Sequence, residues 1–291
     1  MNQPEQATFL FTAHSVASDT HRERNEDQLI ADQQRGFAAV FDGVGGSMGG
    51  EIASQIAARV IQEGWERLFT HWQTDATSPA PDDVTTRLRE LLEQAHEQIR
   101  QDGLQRAGVQ RLESQATTAT IAALCPHADG YTLAYASVGD SRLYLLSPDQ
   151  PLTCLTQDDS YLTLLLQKGY VTAEDAERIE QATSRDQLSD AEYLYFQRRN
   201  GITQALGDAQ HLGVHTGTRE LTPGMRLLLC TDGIHDNLTN QEIERILRDT
   251  EIAQAAQALV DAAIQRSRAE NRVILRAKPD DMTAIVIDYH A

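Results

Sequence analysis

Apolar residues recur along this chain in two rhythms, and the changes of rhythm mark the elements. Residues 8–18 (TFLFTAHSVAS) and 36–41 (GFAAVF) have the length and the β-favouring content of strands. From Gly49 the spacing changes, and Ile52, Ile56, Val60 and Leu68 fall near one face of a helix. Residues 73–83 hold two prolines and few apolar groups, so they read as a surface loop. Leu88, Leu91, Leu92, Ala95 and Ile99 then mark a second amphipathic helix. Strand-like segments return at 117–124, 131–138 and 142–146, with Asp129-Gly130 as a hairpin turn between the first two. Residues 160–199 read as helical and polar, with apolar clusters at Leu164–Leu166 and Tyr193–Phe196. A strand at 226–230, helices near 240–248 and 252–268, and a last strand at 282–289 complete the pattern. No repeat or low-complexity linker interrupts it. Strands bracket two helical blocks, so the first and last strands are expected to share a sheet. One α+β domain built as a layered sandwich follows.

Composition refines this picture. Hydrophobic residues make up 41% of the 291 but aromatics only 5%, so aliphatic side chains must fill the core. The formal charge of −18 argues against non-specific nucleic-acid binding and against an anionic membrane surface. It leaves an anionic substrate open, because bound cations can invert the local sign. Cys125, Cys154 and Cys230 form no disulfide framework and read as reduced core cysteines. No basic segment precedes an apolar run at the start, and no apolar stretch approaches the roughly 20 residues that span a bilayer. A cytoplasmic protein, monomeric and free of membrane and nucleic acid, is the expectation.

Acidic residues adjoin the strand-like runs with unusual regularity. AAVF leads into Asp42-Gly43, YASV into Gly139-Asp140, and LLLC-Thr231 into Asp232-Gly233, while Asp280-Asp281 leads into MTAIVI. Glu26-Asp27 follows the first strand through a polar turn. Any one Asp-Gly is ordinarily a turn. Four such acids, each beside an apolar run, can converge at the edge of a sandwich. There they would repel one another and raise each other's pKa unless a cation intervened. Carboxylate, carbonyl and water ligands suit Mg²⁺ or Mn²⁺, and no Cys/His spacing suits zinc. Gly43 and Gly233 are read as letting the backbone turn sharply beside the metal, where a carbonyl could serve as ligand.

Six segments, in order, carry a resemblance. They are Arg22-Glu23-Arg24-Asn25-Glu26-Asp27, Val40-Phe41-Asp42-Gly43-Val44-Gly45-Gly46 and Ser137-Val138-Gly139-Asp140-Ser141-Arg142, then Ile202-Thr203-Gln204-Ala205-Leu206-Gly207, Cys230-Thr231-Asp232-Gly233 and Asp280-Asp281-Met282-Thr283. Together they resemble the metal-dependent serine/threonine phosphatases of the PPM (type 2C) family, especially the bacterial members. The resemblance implies a central antiparallel β-sandwich flanked by helices on both sides, four layers in all, as a single domain over 1–291. It also implies a flap subdomain at about 147–200. It implies two Mn²⁺ or Mg²⁺ ions, with a third weaker one, and in-line attack on phosphoserine or phosphothreonine by a water or hydroxide bridging the two. Asp42 would bridge the metals. The carbonyl of Gly43 and the carboxylate of Glu26 or Asp27 would hold one, Asp232 and Asp280 the other, and Asp140 with Asp232 the third. Arg22 would grip the substrate phosphate, and Arg22, Asp42 and Asp232 would be the catalytic set. The implied partners are phosphoproteins made by a serine/threonine kinase.

Departures from the family pattern also carry expectations. Val44 stands where eukaryotic relatives have a histidine, which leaves the leaving-group proton donor unassigned. His235 is read as a polar loop residue, Asp236 as a turn former, and Asp281 as orienting its loop. No chemistry is attached to Asp159. The stretch 180–199 reads as a solvated helix, with a substrate-contacting element as the sharper alternative. Two other function classes stand beside the phosphatase: a phosphoprotein-binding module without catalysis, and another two-metal hydrolase such as a nuclease. The first is opposed by the presence of Asp42, Asp232 and Asp280, the second by the charge of −18.

Overall fold

The computed structural model describes residues 8–44, 48–75, 78–107, 115–208, 212–269 and 275–290. Gly45 and Gly46 of the second motif lie outside these. Twelve strands and eight α-helices are present among the described residues: β1 (Thr8–Val16), β2 (Gln28–Asp32), β3 (Phe37–Phe41), β4 (Gly43–Val44), α1 (Met48–Thr74), α2 (Pro81–Ala107), β5 (Ala116–Thr117), β6 (Ala119–His127), β7 (Gly130–Val138), β8 (Arg142–Leu146) and β9 (Thr153–Cys154). They continue with α3 (Tyr161–Gln167), α4 (Ala173–Gln181), α5 (Asp190–Phe196), β10 (His215–Leu221), β11 (Arg226–Cys230), α6 (Asp232–His235), α7 (Asn240–Asp249), α8 (Ile252–Ser267) and β12 (Met282–His290). One five-stranded antiparallel sheet has the order β1-β12-β11-β8-β9, the other β10-β7-β6-β3-β2, and β4 pairs with β5. The first and last strands pair as expected, from Thr8 opposite His290 to Val16 opposite Met282.

The four layers follow from the period of two in the central strands, which are buried on both faces and therefore read as continuous apolar runs. On β12, Met282, Ala284 and Val286 pack with Leu247, Leu259 and Val260 of α7 and α8. The alternate residues Ile285, Ile287 and Tyr289 face the other sheet, meeting Ala38, Val40 and Leu133. On β3 the same alternation sends Phe37, Ala39 and Phe41 to Leu88, Leu92 and Ile99 of α2 and to Ile61 and Trp65 of α1. Helices, sheet, sheet and helices thus share three apolar seams, which is the expected four-layer α+β sandwich.

Several details differ from the sequence reading. The stretch 73–83 is helical at both ends, since α1 runs to Thr74 and α2 starts at Pro81, a favourable first helical position for proline, while Ala76 and Thr77 lie outside the described residues. The hairpin turns on Ala128-Asp129, and Gly130 already pairs with His127. β10 has few apolar residues because it is an edge strand, and the edge strand β2 is only five residues long. Cys154 is exposed on the short edge strand β9, not in the core with Cys125 and Cys230. In 160–199 the single polar helix is three short ones, capped by Ser160, Thr172 and Ser189. They enclose a small core of their own, with Leu162, Leu165, Ile179, Leu188 and Phe196. Leu164 and Leu166 point outward, leaving only Leu165 of that triplet buried.

Candidate active site

Strand register brings the acidic residues to one end of the sandwich. Gln28 is opposite Phe41, Ala119 opposite Val138, Cys230 opposite both Arg142 and Ala284, and Val16 opposite Met282. The residues just beyond these pairs are Asp27, Asp42, Asp140, Asp232 and Asp281. Five of the seven expected ligand positions are buried: Glu26, Asp27, Gly43, Asp140 and Asp232. Asp42 and Asp280 are half-buried.

Asp42 is held through its backbone and Asp27 through one oxygen, whereas Asp281 uses both of its carboxylate oxygens. The Asp42 carbonyl accepts from Thr118 N and Thr117 Oγ1, both at 2.8 Å, and its N–H donates to Thr118 Oγ1. Thr118 Oγ1 also bonds Ser141 Oγ at 2.7 Å, and Thr120 Oγ1 donates to the Ser141 carbonyl, so the same strand end fixes the Asp140 loop. Thr231 Oγ1 donates to Asp27 Oδ2 at 2.8 Å. Asp281 accepts from Ser18 N and Glu26 N, both at 2.7 Å, which orients the first acidic segment as expected. Asp27 Oδ1, Asp140 Oδ1 and Asp232 Oδ1 are buried without a hydrogen-bond partner.

The two glycines act by close approach. A Cβ on Gly43 would meet the Gly50 carbonyl group at 2.5 Å, and one on Gly233 would meet the Asp281 carbonyl oxygen at 1.9 Å. Neither has positive φ, so room for the opposing backbone, not a sharp turn, is the requirement.

Crowding sets the electrostatics. Burial pushes the Asp42 carboxyl well above the usual carboxylate range, and Asp232, Asp27, Asp280 and Asp140 push it further. Asp27 is raised mainly by burial, against the hydroxyls of Thr283 and Thr231. Asp140 is raised by burial and then by Asp232. Two like charges 5 Å apart at an effective dielectric of about 20 repel by roughly 3 kcal/mol. The acids therefore cannot all ionise together without added positive charge. Unpaired buried oxygens, an all-oxygen donor set and this mutual repulsion fit hard divalent cations.

One cation of the chain already stands there, and the sequence reading missed it. Lys278 Nζ donates to Asp232 Oδ2 at 2.6 Å and to Asp236 Oδ2 at 2.7 Å, and lies 3.0 Å from Asp280 Oδ2. Among the described residues, no three acidic, histidine or cysteine side chains stand together at metal-coordinating spacing. Burial opposes charge on Lys278, but Asp232, Asp236 and Asp280 outweigh it and hold its pKa well above the ordinary value. Asp232, raised by burial and lowered by Lys278, titrates at about 7. The sequence signal was lysine itself: of the 25 basic residues only Lys168 and Lys278 are lysines.

Other placements were also missed. His235 is a buried residue of α6, not a loop residue, and its Nε2 is 3.0 Å from the Asp140 carbonyl oxygen. Burial holds its pKa well below the usual histidine value, so the ring is neutral. Asp236 is buried in the charge cluster, not in a simple turn, and burial is outweighed by Lys278 and Arg199, which lower its pKa. Asp159 accepts from Gly139 N and Gln204 Nε2, both at 2.9 Å, and its Oδ1 is 2.8 Å from His215 Nε2, tying the Asp140 loop to the segment after α5. Arg142 joins Asp158 (2.6 Å) to Glu180 of α4 (2.9 Å) and so clamps the helical excursion to the sheet. Arg22 is exposed and pairs with Asp19 at 2.7 Å, while Arg24 lies 2.8 Å from Glu26 Oε1.

Known proteins are similar to this chain in sequence and fold. The serine/threonine phosphatase stp of Listeria monocytogenes is 26% identical over 261 residues, covering 89% of this chain and 91% of that protein. The serine/threonine protein phosphatase PstP of Mycobacterium tuberculosis is 28% identical over 272 residues, covering 92% of this chain and 42% of that protein. A structure of the PstP catalytic domain in complex with two manganese ions has a TM-score of 0.68 and 25% identity, covering 98% of this chain and all of that one. A family model described as protein phosphatase 2C matches residues 19–271, and the chain therefore belongs to the protein phosphatase 2C family, an enzyme of the protein serine/threonine phosphatase class.

Proposed function

We propose that this chain removes phosphate from phosphoserine and phosphothreonine in proteins with the help of two Mn²⁺ or Mg²⁺ ions. The observation that carries the reading is the set of unpaired buried oxygens on Asp27, Asp140 and Asp232 around the strained Asp42. Asp42 would bridge the ions, Glu26 or Asp27 and the Gly43 carbonyl would complete one side, and Asp232 and Asp280 the other. Asp140 with Asp232 would serve a third, weaker ion. When bound, such ions neutralise the phosphoryl oxygens and lower the pKa of the attacking water. The residues do the rest. Thr117 and Thr118 fix the Asp42 backbone, Thr231 fixes Asp27, and Asp281 fixes the segment bearing Glu26. Arg22 would turn from Asp19 to pair with two phosphate oxygens, as a guanidinium fork can. We read the chain as one catalytic domain in which 147–200 is a flap beside the site, acting as a cytoplasmic monomer on the products of a serine/threonine kinase. Among the described residues no helix is long and apolar enough to cross a membrane.

The test is an assay of metal-stripped protein on p-nitrophenyl phosphate, a phosphothreonine peptide and single-stranded DNA. Turnover of the two phosphate monoesters is expected to vanish in EDTA and return with Mn²⁺ or Mg²⁺. Full turnover in excess EDTA, or hydrolysis of the DNA alone, would reject the reading.

A further inference from the structure

The position of Lys278 is built into the fold. Asn237 donates from Nδ2 to the Lys278 carbonyl at 2.9 Å and accepts from Lys278 N–H at 3.1 Å through Oδ1, so the backbone is pinned at both its polar groups. The same Asn237 donates to the Gly233 carbonyl at 2.9 Å, which locks this segment to α6 and hence to Asp232. The preceding Arg276 is fully buried, with its guanidinium on the carbonyls of Glu180, His235 and Leu238. The Lys278 side chain, by contrast, is held by its contacts to the three carboxylates.

That side chain stands between two environments. On one side are three carboxylates, one for each ammonium N–H. On the other is an open cleft of about 870 Å³ that Lys278 lines together with Tyr161, Arg198 and Asn200. The choice of residue is pointed in a chain whose cations are otherwise almost all arginine. A compact ammonium on a flexible stem can sit at the centre of three acids, as a small metal ion does, and can leave again. A planar guanidinium fork fits neither requirement.

Resting on the reading that Asp232 and Asp280 hold a divalent ion, we propose that Lys278 is that ion's built-in competitor. In the metal-free enzyme its ammonium holds Asp232, Asp236 and Asp280 together. When the ion enters, the ammonium gives up Asp232 and Asp280 and withdraws toward the cleft. The Asp232 side of the site therefore fills at a higher metal concentration than the Asp42 side, and the acids do not spring apart when it empties.

Two measurements test this without an activity assay. The first uses wild-type protein and an amine-acylating reagent, read by peptide mass spectrometry in EDTA and in saturating Mn²⁺. Lys168, exposed at the end of α3, is the internal standard. Labelling of Lys278 relative to Lys168 is expected to rise several-fold with Mn²⁺; an unchanged ratio overturns the proposal. The second is calorimetric Mn²⁺ titration of metal-stripped wild type and Lys278→Met, with Lys278→Gln as the alternative should the first variant not fold. Removing a unit positive charge from hydrogen-bond distance of the ligands should tighten the weaker class of site by about tenfold or more. In EDTA the variant should melt below wild type, since three acids lose a cation they share. Equal Mn²⁺ affinities in variant and wild type overturn the role of Lys278 and leave the metal reading standing. Absence of Mn²⁺ binding to both overturns the metal reading and this inference with it.

Discussion

The two sides of the acidic cluster teach opposite lessons about burying carboxylates. Around Asp27 and Asp42 the acids meet hydroxyls, amides and one another, and among the described residues neither has an ion-pair partner. Both are pushed well above the usual carboxylate range. Asp236 is buried as deeply as Asp27 and more deeply than Asp42, yet Lys278 and Arg199 depress its pKa. Asp232 lies between the two regimes, crowded by Asp280 and relieved by Lys278. Depth in the fold therefore does not decide which acids are strained. The presence of a cation does, and the side without one is the side most in need of a bound ion.

The largest effect expected from this contrast is on catalysis. Asp42→Asn should lower kcat on a phosphothreonine peptide by about 10²–10³-fold, the scale of losing one preorganised charge-stabilising group. The same variant should melt at or above wild type in EDTA, because a repelled carboxylate is gone. Near-normal kcat at saturating Mn²⁺ would remove Asp42 from the mechanism.

Asp236→Asn should behave oppositely in the metal-free protein. It takes a partner from Lys278 and Arg199 in a buried setting, where breaking such a pair costs about 3 kcal/mol. Denaturant unfolding in EDTA measures this. A loss no larger than that of Asp42→Asn would erase the distinction between the two sides.

The pH dependence of metal-free stability comes next. Asp232 is pushed up to about 7 in the fold, against an ordinary aspartate value of 3.8 when exposed. Between those values the native protein holds a proton that the unfolded chain has released, so stability falls as pH rises from about 4 to 7. Asp27, Asp42 and Asp140 are shifted the same way and add to the fall. Asp236 has the opposite sign, but its contribution is lost only below about pH 4, as its carboxylate protonates. Melting in EDTA should drop by several degrees from pH 5 to pH 7.5, and saturating Mn²⁺ should flatten the slope. A melting temperature that climbs across that range contradicts the shifts.

The smallest effect is on Arg22. Its exposed pair with Asp19 is screened by solvent, so Arg22→Ala should leave the melting temperature nearly unchanged. If Arg22 grips phosphate in both ground and transition states, KM should rise more than kcat falls, and inhibition by free phosphate should weaken. Unchanged KM and inhibition would point instead to Arg24, which already lies beside Glu26.

Much of this was legible in the sequence, for definable reasons. Central strands such as β3, β8, β11 and β12 carry apolar residues on both faces, so they stand out. The edge strand β10, His-Thr-Gly-Thr-Arg-Glu-Leu, buries only its last residue and leaves no such trace. The acids at strand ends were legible because position beside an apolar run is a local property. The roles of Lys278, Asp159 and Arg142 were not, because each acts on partners that only tertiary structure brings near. Lys278 reaches Asp232 across 46 residues of chain, and Arg142 reaches Glu180 across 38. His235 was misjudged because a short helix between two motifs looks like a loop until its surroundings bury it.

The pairing of β1 with β12 has a consequence for when the enzyme comes into being. Thr8 lies opposite His290, and Asp281, just before β12, accepts the amides of Ser18 and Glu26. β12 is also the inner neighbour of β11, so its sheet stays divided until that strand inserts. Without β12 this sheet is incomplete, and the acidic segment that Asp281 orients lacks its anchor. Such distant pairing is slow, since a long loop must close before any contact rewards it. The acidic centre therefore takes shape as a late, non-local event of folding, when β12 docks between β1 and β11.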